Sequence, residues 1–125
     1  MLSKQIQFDL LVTALEGGSN YWYFLPDLSK IPDVAQSPET KGFEKCLAAR
    51  IWDAVQNGEK ITVTDIDGDE NEPIGYVGLH ELNRADELFL KEFPEAYGDA
   101  ITENYDADTA DIWFQLVVMG EVIFG

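Results

Sequence analysis

Three carboxylates open the last stretch of the chain, at Asp106, Asp108 and Asp111 in the run DADTADIWFQLVVMGEVIFG. On a helix, Asp108 and Asp111 share a face at three-residue spacing, with Gln115 about one turn further along. Oxygen ligands in that pattern suit Mg²⁺ or Ca²⁺, so Asp106, Asp108 and Asp111 are candidate metal ligands and a divalent cation is the one candidate cofactor. The same acids have a plainer use, capping the helix and complementing the positive end of its dipole. Glu121 follows the helix breaker Gly120. Buried beside Glu16, it would form a carboxylate pair able to split its pKa values for acid–base work.

A second constellation lies near the start, in Glu16-Gly17-Gly18-Ser19-Asn20-Tyr21-Trp22. Two glycines let the backbone approach another group closely, and Ser19 and Asn20 donate and accept beside two aromatic faces. Such a segment could hold a small, nucleotide-like ligand by stacking and hydrogen bonding. Glu16 to Trp22, with Gln115 and Glu121, are therefore the candidate ligand-binding residues. It is not a phosphate loop, because it lacks the Walker lysine and spacing. The competing reading is a helix stop followed by core aromatics.

Other signals are weaker. Asp65, Asp67, Asp69, Glu70 and Glu72 crowd a turn that begins like a calcium loop. Glycine falls at the fourth loop position rather than the sixth, however, and Tyr76 stands where the closing glutamate belongs, which excludes an EF-hand. The single cysteine, Cys46, excludes an internal disulfide and a Cys-based zinc site. It falls in a predicted helix as a small hydrophobe. His80 is the only histidine. No nucleophile elbow, HExxH or dinucleotide fingerprint occurs, so the expectation leans away from an enzyme and no catalytic residue is assigned.

The elements that must position these residues read as α+β: about four helices packed on a small, mainly antiparallel sheet, in a single domain over residues 1–125. Ser3 to Glu16 is the first helix, capped by Ser3 and stopped by Gly17-Gly18, where glycine accepts left-handed backbone. The aromatic segment 19–25 is a short strand or an extended piece ended by Pro26, and 26–37 is a loop. Ser37-Pro38-Glu39 starts a second helix that runs to about Gln56, with Phe43, Leu47, Ala48, Ile51 and Val55 as its buried stripe. Residues 60–66 and 74–79 form a hairpin with an acidic tip. A third helix covers 79–93, a short helical turn follows Pro94, and the final helix runs from about Ala107 to Met119. The tail from Glu121 is a candidate further strand beside the hairpin.

Composition sets the remaining bounds. The chain has 125 residues and 46% hydrophobic ones, enough for a core without a staple. With 24 acids against 8 bases its formal charge is −16, which disfavours direct contact with nucleic-acid backbones and anionic membrane surfaces. The acidity leaves three uses: solubility, cation binding, or polyanion mimicry towards a basic protein surface. Met1-Leu-Ser-Lys-Gln lacks the apolar core of a signal peptide, and no run approaches the ~20 apolar residues of a membrane span, so the expected location is the cytoplasm.

Two blocks, Leu11-Val-Thr-Ala-Leu-Glu-Gly-Gly-Ser-Asn-Tyr-Trp-Tyr and Asp106-Ala-Asp-Thr-Ala-Asp…Gln-Leu…Gly-Glu-Val-Ile-Phe-Gly, together resemble a family of small bacteriophage and prophage proteins. In that family an EGG-x-x-YW segment is paired with a C-terminal DADxAD…Q…GE-hydrophobic-hydrophobic-[YF]-G; this chain keeps both, with Phe124 at the aromatic position. The resemblance implies phage origin and a role in the host cytoplasm during infection, without implying an activity. Three functions follow as expectations. The first is a non-catalytic accessory protein that binds a basic host or defence protein. The second is a small-ligand binder built on the Gly-Gly-Ser-Asn-Tyr-Trp segment, and the third a carboxylate-metal hydrolase. A homo-oligomer stays open, because an apolar tail strand could pair with a second copy as readily as with its own sheet.

Overall fold

Helix α5 (Ala107–Met119) is the element on which the others pack. Trp113, Phe114, Leu116, Val117 and Val118 are all buried along it, so it presents apolar side chains in every direction and has to be surrounded. The computed structural model describes residues 1–125. Around α5 stand α1 (Lys4–Thr13), α3 (Leu79–Glu92), α4 (Pro94–Ile101) and the short sheet, while α2 (Leu47–Gln56) packs on the far side of α1. The class is α+β as expected, with five α-helices rather than four. The fifth is α4, a full helix where the sequence suggested a single turn.

The sheet has three strands in the order β1 (Tyr23–Phe24), β2 (Ile61–Asp65), β3 (Gly75–Val77), all antiparallel. Ile61 lies opposite Val77 and Val63 opposite Gly75, and Ile61, Val63 and Val77 turn into the core while Tyr76 faces out. That alternation is what the hairpin expectation required. Gly75 is dictated by packing. A Cβ there would lie 1.8 Å from the Val118 carbonyl oxygen, so β3 crosses the C-terminal part of α5 backbone to backbone.

Four local expectations are corrected. The helix assigned to 38–56 is broken: Pro38–Thr40 is one 3₁₀ turn, and α2 begins only at Leu47. Phe43 consequently projects outward at 59% exposure instead of joining a buried stripe. Cys46 sits just before α2 as its cap, accepting the Ala49 N–H at 3.4 Å, and is half-buried. The tail after Gly120 forms no strand. Gly120 ends α5 in the left-handed conformation (φ 75°), and residues 121–125 fold back over the helix.

The fourth correction concerns the end of α1. The helix widens into a π turn over Ala14–Gly18, closed by the Ser19 N–H on the Ala14 carbonyl at 2.8 Å. Neither Gly17 nor Gly18 has positive φ, so left-handed freedom is not their use. At Gly18 the reason is proximity: a Cβ would sit 2.5 Å from the Ala107 carbonyl oxygen. The π turn is thereby pressed against the first turn of α5.

Candidate functional site

The contact between the π turn and α5 joins the two sequence blocks. Ser19, which closes the turn, and Trp22, three residues on, are both fully buried and both aim at Asp111. The Ser19 hydroxyl and the Trp22 Nε1–H donate to Asp111 Oδ1 at 2.8 and 2.7 Å. The Tyr21 hydroxyl donates to Oδ2 at 2.5 Å, and the Gln115 amide donates to the same oxygen at 3.2 Å. An ionised carboxylate offers about four acceptor positions, so this one is saturated by four neutral donors with no cation beside it.

Gln115 carries the network onward. Its Oε1 accepts the backbone N–H groups of Ile123 and Phe124 at 2.8 and 2.9 Å, and its Nε2 donates to the Phe124 carbonyl at 3.2 Å. One side-chain amide thus gives the tail the hydrogen bonds that a neighbouring strand would have supplied. The tail's Phe124 ring then stacks on Trp22, with centroids 5.2 Å apart and planes 10° from parallel. Phe114 lies on Trp22 as well, at 5.5 Å. The Tyr21 hydroxyl is pushed up to about 12, by loss of water around it and then by the adjacent Asp111 carboxylate.

These distances settle where the candidate ligand residues lie. Ser19, Tyr21, Trp22 and Gln115 do come together, but around Asp111 and the tail rather than around a space. None of the surface concavities is lined by any residue from Glu16 to Trp22, by Gln115 or by Glu121. Gly17 is exposed, Gly18 is half-buried against α5, and Asn20 points to solvent. Glu16 and Glu121 are both exposed, so neither meets the burial that a pKa-split carboxylate pair needs.

The three candidate metal ligands are likewise separated by their tasks. Asp106 caps α5, accepting the Thr109 N–H at 2.9 Å and the Thr109 hydroxyl at 3.0 Å, and those bonds hold its carboxyl below the usual carboxylate range. Asp108 is exposed in the first turn, and Asp111 is taken up by the hub. No group of three or more His, Cys, Asp or Glu side chains converges as a metal-binding cluster. Capping explains Asp106, and buried polar compensation explains Asp111. At the hairpin tip, Asp65 and Asp69 accept the N–H groups two residues ahead at 2.9 and 2.8 Å, the bonds of a self-sufficient turn.

The sequence marked the residues that meet at the hub but not the relation among them. It set Asp111 with the metal candidates and Ser19, Tyr21 and Trp22 with a ligand pocket, whereas each group is the other's partner. The available signal was composition. An acid at the head of a run as apolar as IWFQLVV needs donors, and Ser-Asn-Tyr-Trp is a segment rich in them. No family model, curated protein or solved structure matches the chain.

Proposed function

We propose that this chain is a phage-type accessory protein that acts by non-catalytic binding, its acidic surface engaging a basic host or defence protein in the host cytoplasm. The observation that supports this reading is the division of labour among its acids. Only Asp53, Glu81, Asp86 and Asp111 are buried, and each has an internal partner: Gln36 and Ser37 for Asp53, Lys60 for Glu81, the Leu2 N–H for Asp86, and the hub for Asp111. The other carboxylates reach solvent, and Lys60–Glu81 is the one ion pair in the molecule. The surface field is therefore negative and largely unneutralised, the kind that steers a cationic partner into encounter.

No helix is long and apolar enough to cross a membrane. The phage context rests on the two sequence blocks, which the structure joins at one contact. The test is capture of partners from a bacterial lysate at two salt concentrations. Between ~0.1 M and ~1 M salt the Debye length falls from about 10 Å to about 3 Å, so association through exposed charge should collapse. A specific captured protein of basic surface, lost at high salt, is the expected result. A partner retained equally at both concentrations would overturn the electrostatic reading.

A further inference from the structure

The bases that could offset the exposed acids are not spread evenly along the chain: five of the eight lie before residue 51. Beyond Arg84, Lys91 is the only cation, while Glu87, Glu92, Glu95, Asp99, Glu103, Asp106, Asp108 and Glu121 are all exposed. This C-terminal third holds α3, α4 and α5, and where the three meet the surface is indented. The chain turns sharply at Phe93 between α3 and α4, and Pro94 begins α4. The corner fails to close over α5. A groove remains, lined by Glu92, Phe93, Pro94, Glu95, Ala96 and Ile112.

Its chemistry is two-sided. Phe93, Ala96 and Ile112 are half-buried and make an apolar floor, while Glu92 and Glu95 stand exposed at the edge. Asp99 is one turn beyond Glu95 on α4, and Asp108 is one turn before Ile112 on α5, so each extends the rim along its own helix face. Lys91 neighbours Glu92 in sequence and is not among the lining residues. Of the other apolar indentations, the one between Val34 and Phe43 is lined by Lys45 as well as Glu44, and the one between Phe8 and Tyr105 by a single acid, Asp9.

From this we infer that the α3–α4–α5 groove is a docking site for a basic amphipathic segment of a partner protein. An apolar side chain of the segment enters between Phe93, Ala96 and Ile112, and lysines or arginines on either side of it meet Glu92 and Glu95. Charge complementarity decides the occupant. A second copy of the chain, also at −16, is repelled over most of its surface, whereas a cationic segment is attracted to it. The apolar floor adds a demand that charge alone does not make, since a uniformly basic chain with no apolar residue leaves the floor exposed to water. The inference rests on the acidic-surface reading and narrows it to one place.

The experiment uses the full chain and a synthetic lysine-rich peptide with one leucine-and-phenylalanine face, titrated by fluorescence anisotropy. A lysine–serine peptide of equal charge is the control. Two charge reversals with the same net change are compared: Glu92→Lys with Glu95→Lys at the groove, and Asp67→Lys with Glu70→Lys at the hairpin tip. Thermal unfolding verifies that the variants are folded, and Ala96→Gln, which leaves the charge unchanged, obstructs the apolar floor independently. The expected result is preference for the amphipathic peptide and a loss of about tenfold or more in the groove reversal, with a loss in Ala96→Gln confined to the amphipathic peptide and the tip reversal much milder. Equal weakening by both reversals, without preference between peptides, would overturn the groove and leave the diffuse acidic surface standing. Absence of binding to either peptide at low salt would overturn both. Sedimentation showing wild-type self-association abolished by the groove reversal would assign the groove to a second copy and overturn the inference.

Discussion

Trp22 and Asp111 are joined by a 2.7 Å hydrogen bond from the indole Nε1–H to Oδ1, between two buried residues that lie 89 positions apart. Burial of the carboxylate is compensated by donors from two chain segments that converge on it. Replacing it with asparagine would put an NH₂ group where an acceptor is required, and replacing it with alanine would leave the Trp22 and Ser19 donors unpaired. Each buried donor left unpaired costs about 1–3 kcal/mol. Asp111→Asn and Asp111→Ala should both lower stability by roughly that amount in urea unfolding. A loss under about 1 kcal/mol would mean that the hub is not structural.

Trp22 tests the ligand reading directly. Trp22→Phe removes the hydrogen bond and keeps a ring against Phe114 and Phe124, for an expected cost of about 1–3 kcal/mol. Trp22→Ala also opens a cavity, and the cost rises to about 3–5 kcal/mol. A well-folded, undiminished Trp22→Ala protein would show that the residue serves something other than the core.

The glycine pair offers an internal control. Nothing lies within 4 Å of a Cβ added at Gly17, whereas one added at Gly18 meets the Ala107 carbonyl oxygen at 2.5 Å. Gly17→Ala should be neutral or stabilising by about 0.4–1 kcal/mol, since neither glycine needs positive φ. Gly18→Ala should destabilise by about 1–3 kcal/mol through overpacking, as should Gly75→Ala, where β3 meets Val118. Melting temperatures of the three variants decide the matter.

Tyr21 gives a pH signature. Its hydroxyl titrates at about 12 in the folded protein against 10.0 for a free tyrosine, so the neutral form is the one the fold favours. The stabilisation is complete below pH 10 and is lost as pH rises towards 12. Ultraviolet difference titration should show tyrosine ionisation running above pH 10, since burial also raises Tyr23, Tyr97 and Tyr105, and Tyr21→Phe should remove the component near 12.

The elements legible in the sequence were those whose pattern and boundary chemistry agree. The hairpin alternates, α3 and α5 carry apolar residues at helical spacing, and Ser3, Asp106 and Gly120 cap as their types require. The region 37–46 misled because Ser-Pro-Glu is a sound helix start, but the 3₁₀ turn that it begins ends at Thr40, where Lys41 turns extended and Gly42 takes a left-handed φ of 92°. Asp53 accepts the Gln36 N–H and the Ser37 hydroxyl at 3.1 and 2.7 Å, fastening the loop to α2. At the hub the residue types were visible and the distances were not. A buried acid and a distant cluster of donors look like two sites until the fold makes them one, and no local pattern signals which partner lies across the core.

The hub also bears on when the protein can fold. Asp111 is linked to Ser19, Tyr21 and Trp22 across 92, 90 and 89 positions, and Leu2 to Asp86 across 84. Contacts of such separation must close long loops before they return any energy, which slows folding relative to a helical protein with local contacts. During synthesis the Gly-Gly-Ser-Asn-Tyr-Trp segment leaves the ribosome long before the acid that satisfies it. Its donors and aromatic faces stay in water until α5 arrives, so native structure around Trp22 waits for the synthesis of that helix.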